Sequence, residues 1–210
     1  MKITSVRATP VLMPRPTPFT SSLGTHAGSE NAVVEIETDA GITGVGEASS
    51  IWDRRGRGCA DDINGLLAEA LVGRDPTRIR LVTDAMDALL SRRSAPAKAG
   101  VEMALWDIAG QAFGLPIWQL LGGKFRDSIR LYNDCHAGET DTPESWVEKA
   151  CAVEARGFDA IKFDIDPRPS QRDPYNRGIS NDDIVFFIEV VTAIRGALDS
   201  NTDLAVDAHW

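Results

Sequence analysis

Asp159-Ala160-Ile161-Lys162-Phe163-Asp164-Ile165 reads as a strand, and what flanks it decides the fold. Upstream, Thr142-Pro143-Glu144 opens a helix that runs to Arg156 and stops at Gly157, and Ser128 to Asn133 forms a short apolar strand before it. Downstream, a helix starts at Asn181-Asp182-Asp183, where acids suit the helix dipole. It carries Ile184, Phe187, Ile188, Val191, Ile194 and Leu198 on one face. A last strand runs from Asp203 to His209. Strand, helix, strand, helix, strand in this order predicts a parallel sheet or barrel.

The residues before this alternation read differently. Ile3 to Met13 is rich in β-branched residues and runs into Pro14-Arg15-Pro16-Thr17-Pro18, which is expected to leave the sheet. Ala32 to Thr38 alternates with period two, turns at Asp39-Ala40-Gly41, and continues through Ile42 to Ala48 as a hairpin. Residues 14–30 between them form a long loop, a kind that is usually functional or mobile. Two amphipathic helices follow. Ile63, Leu66, Leu67, Ala70 and Leu71 stripe the first. Ile79, Val82, Met86, Leu89 and Leu90 stripe the second, with Asp75-Pro76 as its N-terminal cap. Ala97 to Phe113, apolar around its circumference and ended by Gly114, is a buried helix.

Of 210 residues, 43% are apolar and 25% charged, a composition that buries a core. No apolar run approaches the ~20 residues that cross a bilayer, and Met1-Lys2-Ile3-Thr4-Ser5 opens no signal peptide, so the cytoplasm is expected. A net charge of −9 argues against nucleic acid, and Arg54-Arg55-Gly56-Arg57 is too short a basic cluster to reverse that. Cys59, Cys135 and Cys151 show neither disulfide nor zinc spacing. Gly44 and Gly46 fall in a hairpin rather than before a helix, so they cradle no phosphate, and Glu47 beside them reads as a hydrogen-bonding residue.

In parallel α/β folds reactive groups gather at the carboxyl ends of strands. Three ends are visible: Tyr132-Asn133-Asp134-Cys135-His136, Lys162-Phe163-Asp164-Ile165-Asp166 and Asp207-Ala208-His209-Trp210. Residues two apart share a face, which pairs Lys162 with Asp164 and Asp207 with His209. A lysine inside an apolar strand is costly unless it faces a wet or charged cavity. Lys162 therefore reads either as a site residue or as an ion-pair partner of Asp164 without chemistry. Asp207 and His209 read either as a functional pair or as a strand-end turn and a core histidine.

Val101-Glu102-Met103-Ala104-Leu105-Trp106-Asp107-Ile108-Ala109-Gly110, Gly114-Leu115-Pro116-Ile117-Trp118-Gln119-Leu120-Leu121-Gly122-Gly123 and Gly41-Ile42-Thr43-Gly44-Val45-Gly46-Glu47 join these features. Together they resemble the mandelate racemase and muconate lactonizing enzyme group of the enolase superfamily, over nearly the whole chain. The resemblance implies an α/β protein: an N-terminal α+β capping domain, residues 1–125, followed by a partial (β/α) TIM-type barrel, residues 126–210. It implies Mg²⁺ held by acids at successive strand ends, and removal of the proton α to a carboxylate. That proton is too weakly acidic for a protein base unless a hard cation offsets the developing charge. Superfamily sites of this kind use a Lys or His base with Mg²⁺.

Residue by residue, Asp207 matches a metal ligand and Lys162 the lysine of the second barrel strand. Many racemase-type members carry Lys-x-Lys there, whereas Asp164 stands at the second position. His209 resembles the histidine of acid-sugar dehydratases that protonates the departing β-hydroxyl. Arg15, with His26, resembles part of a capping loop that closes over substrate. Tyr132, Asp134, His136 and Asp164 are expected to line the site. The resemblance thus implies an acid-sugar dehydratase, a homo-oligomer acting on a small carboxylate. The alternatives are a racemase or cycloisomerase of the same superfamily, and a truncated noncatalytic chain. A full barrel needs about 200 residues, so residues 126–210 hold only its beginning. The base and two metal ligands are expected from sequence beyond Trp210.

Overall fold

A computed structural model of the chain describes residues 1–21, 24–49, 55–90, 94–135, 141–165 and 178–207. These divide into two compact units, Met1–Phe19 with His26–Phe125, and Thr20–Thr25 with Arg126–Trp210.

In the first unit, β1 (Ile3–Ser21), β2 (Gly24–Thr38) and β3 (Thr43–Ser49) form a sheet in that order. β2 and β3 are antiparallel, from Glu37 opposite Thr43 to Asn31 opposite Ser49. Gly41 closes their turn at φ 74°, a left-handed conformation that costs glycine little. Of the loop expected over 14–30, residues 14–21 instead continue β1 and residues 24–30 belong to β2. The prolines do not expel β1 from the sheet because it is an edge strand. Ala8 turns its N–H outward, to Asn64. Pro10, Pro14, Pro16 and Pro18 share its parity, so in a regular strand each removes a donor from that outer side.

The helical layer comprises α1 (Gly56–Asp62), a π-helical segment (Ile63–Leu67), α2 (Ala68–Leu71), α3 (Ile79–Leu89), α4 (Ala95–Phe113) and α5 (Ile117–Leu120). Ile63, Leu67 and Leu71 are fully buried, but Leu66 points to solvent, since the wider π turn shifts the phase of the stripe. Asp75 does not cap α3. Its carboxylate accepts hydrogen bonds from the N–H and hydroxyl of Thr77, and the helix begins only at Ile79. α4 is buried as expected and ends at left-handed Gly114. It packs on the face of β3 formed by Gly44, Gly46 and Ala48. A methyl group on Gly46 would fall 2.0 Å from the carbonyl oxygen of Gly100, so the two backbones need glycine there to approach so closely.

In the second unit, β4 (Asn133–Cys135), β5 (Ala160–Asp164) and β6 (Asp203–Asp207) form a parallel sheet in that order. The expected strand over 128–133 is shorter and later. Asn133 already pairs with Ile161, near the start of β5, so the residues before it lack a partner strand and Ile129 and Leu131 are exposed. α6 (Pro143–Ala155) and α7 (Asn181–Ala197) are each opened by a capping box, Thr142 with Ser145 and Ser180 with Asp183. Ile161 and Phe163 of β5 are buried with Trp146, whose ring centroid lies 5.9 Å from that of Phe163. On α7 the buried positions are Val190 and Ile194, with Leu198 just after it. Ile184 and Ile188 of the expected stripe are exposed, because this helix is apolar on more than one side and local periodicity cannot choose among them.

Candidate active site

The alternation that buries Ile161 and Phe163 turns Lys162 and Asp164 to the opposite face of β5. Parallel register then sets Asp134 of β4 beside Lys162, and Asp207 of β6 beside Asp164. Lys162 Nζ lies 3.0 Å from Asp164 Oδ1, 3.1 Å from Asp134 Oδ1 and 3.2 Å from Asp207 Oδ2. Three carboxylates from three strands thus meet one ammonium at the carboxyl ends of the sheet. The lysine is mostly buried, its side chain 18% exposed, whereas Asp207 and Asp134 are nearly half exposed.

Burial opposes the charge on Lys162. The hydrogen bonds it donates to Asp164, Asp134 and Asp207 outweigh that and hold the ammonium above the ordinary lysine range. Lys162 is therefore a fixed cation at neutral pH. The Lys162–Asp164 pair expected from spacing is present, and Asp134 and Asp207 join it. Neither partnership has a local sequence signal, since each depends on how strands align.

The opposite end of the sheet is locked differently. Arg130 Nε and Nη1 donate to Asp159 at 3.0 Å and Asp203 at 2.5 Å, tying the starts of β5 and β6. Glu154 accepts from Asp199 N–H and the Thr202 hydroxyl, bracing the turn before β6. The Lys162 charge cluster and this bracing thus occupy opposite ends of the strands.

Of the remaining predicted residues, Tyr132 is exposed just before β4, and Arg15 is exposed on β1 of the first unit. His136 and His209 lie outside the described residues. Glu47 has the hydrogen-bonding role expected of it, accepting from the side-chain amide of buried Asn31. A cavity of about 580 Å³ in the first unit, lined by residues including Trp106, Phe113 and Leu81, contains none of the predicted site residues.

Among the described residues, no group of three or more His, Cys, Asp or Glu side chains is arranged to hold a metal ion. The donor chemistry of Asp207 nevertheless fits Mg²⁺: a partly exposed carboxylate offers the hard oxygens that ion prefers. None of the described helices is long and apolar enough to cross a membrane.

Residues 3–122 match the family of mandelate racemase / muconate lactonizing enzyme N-terminal domains, and the chain belongs to that family, within the enolase superfamily. It is 36% identical over 186 residues, 85% of the chain, to D-xylonate dehydratase of Haloferax volcanii, of which the match covers 44%. It is 32% identical over 194 residues, 91% of the chain, to hydrophobic dipeptide epimerase of Enterococcus faecalis, of which it covers 49%. The crystal structure of dipeptide epimerase from Enterococcus faecalis V583, complexed with Mg and the dipeptide L-Leu-L-Tyr, superposes with TM-score 0.76 at 30% identity. That match covers all of this chain and 54% of the other. The chain spans about half the length of these relatives. The architecture is that of a capping domain with the first strands of a barrel.

Proposed function

We propose that the complete protein is a Mg²⁺-dependent acid-sugar dehydratase, which removes the proton α to a carboxylate and expels the β-hydroxyl. One observation carries this reading over racemisation. Asp164 holds Lys162 at 3.0 Å, so the position that supplies a second lysine in racemase-type relatives carries an acid engaged with a cation. The similarity to D-xylonate dehydratase supports it.

Asp207 is the ligand this chain offers to Mg²⁺, which when bound supplies a hard positive charge to offset charge developing on the substrate carboxylate. Lys162, permanently charged, binds and orients that carboxylate. Asp134 and Asp164 keep its ammonium aimed. His209 donates a proton to the departing hydroxyl oxygen, Tyr132 and His136 line the pocket, and Arg15 belongs to the capping loop that closes over the polyol end. The base lies outside these residues. A cytoplasmic setting and a homo-oligomeric assembly are part of the proposal, to be checked by cell fractionation and by sedimentation of the complete protein.

The test is a panel of aldonic acids incubated with the complete protein and assayed for 2-keto-3-deoxy product. Its formation, lost by about 10²-fold or more in Asp207→Asn, supports the proposal. The similarity to hydrophobic dipeptide epimerase favours a second reading. Exchange of the α-proton in D₂O with inversion and no loss of water would establish that one instead.

A further inference from the structure

We infer that Lys162 is a built-in competitor for the cation at Asp207, so that metal binding moves its ammonium off Asp207 and onto Asp134 and Asp164. The inference rests on the reading of Asp207 as a metal ligand. Lys162 Nζ bonds to Asp207 Oδ2 at 3.2 Å, and a magnesium ion held by the same carboxylate would sit about 2.0–2.1 Å from its ligand oxygen. Two cations against one carboxylate repel strongly in a partly buried site. A lysine with no other anchor would have to be driven into solvent. Lys162 instead has two partners independent of Asp207: Asp164 on its own strand at 3.0 Å and Asp134 on β4 at 3.1 Å. Its four-carbon stem can stay in place while the head exchanges partners. The aspartates thereby set metal affinity without touching the metal, by holding the displaced ammonium.

Binding of Mn²⁺ to the complete protein without substrate, followed by loss of the free-ion EPR signal, tests this. Lys162→Met is expected to tighten Mn²⁺ binding by about 5-fold or more, the lower end of coupling between linked sites. Lys162→Gln, which keeps a polar head without charge, should do the same and serves if the methionine variant does not fold. Asp164→Asn should weaken binding when Lys162 is present, and most of that effect should vanish in the Lys162→Met background. Unchanged or weaker binding on removal of Lys162, or strictly additive effects of the two substitutions, would overturn the inference. Asp207→Asn separates the two ideas. If it abolishes Mn²⁺ binding while Lys162→Met leaves affinity unaltered, only the competition fails. If it leaves binding intact, the reading of Asp207 as a ligand fails as well.

Discussion

Lys162 is mostly buried yet stays charged, because three carboxylates within 3.2 Å outweigh the loss of water around it. Its folded pKa lies above the ordinary value of 10.5, so the stabilisation it contributes is complete below that pH and is lost as pH rises through the higher folded value. Lys162→Met should cost roughly 1–3 kcal/mol in urea unfolding, unchanged between about pH 6 and 9 and shrinking only in stronger alkali. A cost that fades near neutrality would contradict this. Cys135 shows the opposite balance: burial first, and then the nearby Asp134 charge, push its thiol up to about 11. In the native chain at pH 8, iodoacetamide should label Cys135 on the order of 10²-fold more slowly than in the unfolded chain, as mass spectrometry would show. Cys151, less buried, should react first. The Lys162–Asp164 pair was readable because a spacing of two on a strand is a local rule. The approach of Asp134 and Asp207 was not, because register between parallel strands is set by chain segments dozens of residues apart.

Both edges of the β1–β3 sheet are covered by helix side chains that act as substitute strands. Asn64, in the π-helical segment, gives its amide to the carbonyl of Ala8 and accepts from the N–H of Ala8, both at 2.8 Å. On the other edge Asp107 accepts from Val45 N–H at 2.9 Å, and Gln111 donates to the carbonyl of Thr43 at 2.8 Å. Unpaired strand edges otherwise invite association, so these three residues both satisfy the backbone and block that route. This gives a physical meaning to polar residues in a helix whose other side is apolar. The same helix explains the spaced glycines of β3. Gly46→Ala should destabilise the chain by about 1–3 kcal/mol or more in denaturant unfolding, since its methyl would meet the carbonyl oxygen of Gly100 and the amide of Ala104. Gly41→Ala meets no atoms and should suffer only from its left-handed backbone, about 1 kcal/mol. A smaller loss at Gly46 than at Gly41 would refute the packing account. Helix existence and the hairpin were legible from periodicity. The extent of β1 was not, because proline in a strand is forbidden or harmless according to whether a neighbour lies on that side.

In the second unit β4 and β6 each pair with β5 on one side, and Ile129 and Leu131, just ahead of β4 in the chain, are exposed. Parallel strands are normally flanked on both sides and covered on both faces. The 210-residue chain by itself should therefore bind an apolar dye such as ANS and sediment as more than a monomer. A monodisperse monomer that binds no dye would show that these surfaces are better protected than their exposure indicates. Composition and periodicity, being properties of neighbouring residues, were enough to establish a βαβαβ order, a mainly apolar α4 and acids clustered near strand ends. Motifs in α4 and the segment after it carry the family resemblance in the sequence itself, because helix-to-strand packing that tight tolerates few side chains. Long-range contact decided the rest: which side of α7 is buried, that residues 14–21 continue a strand, and that one ammonium is shared by carboxylates from three strands. Each of those outcomes is an energy between segments far apart in the chain, and none exists until the chain has folded.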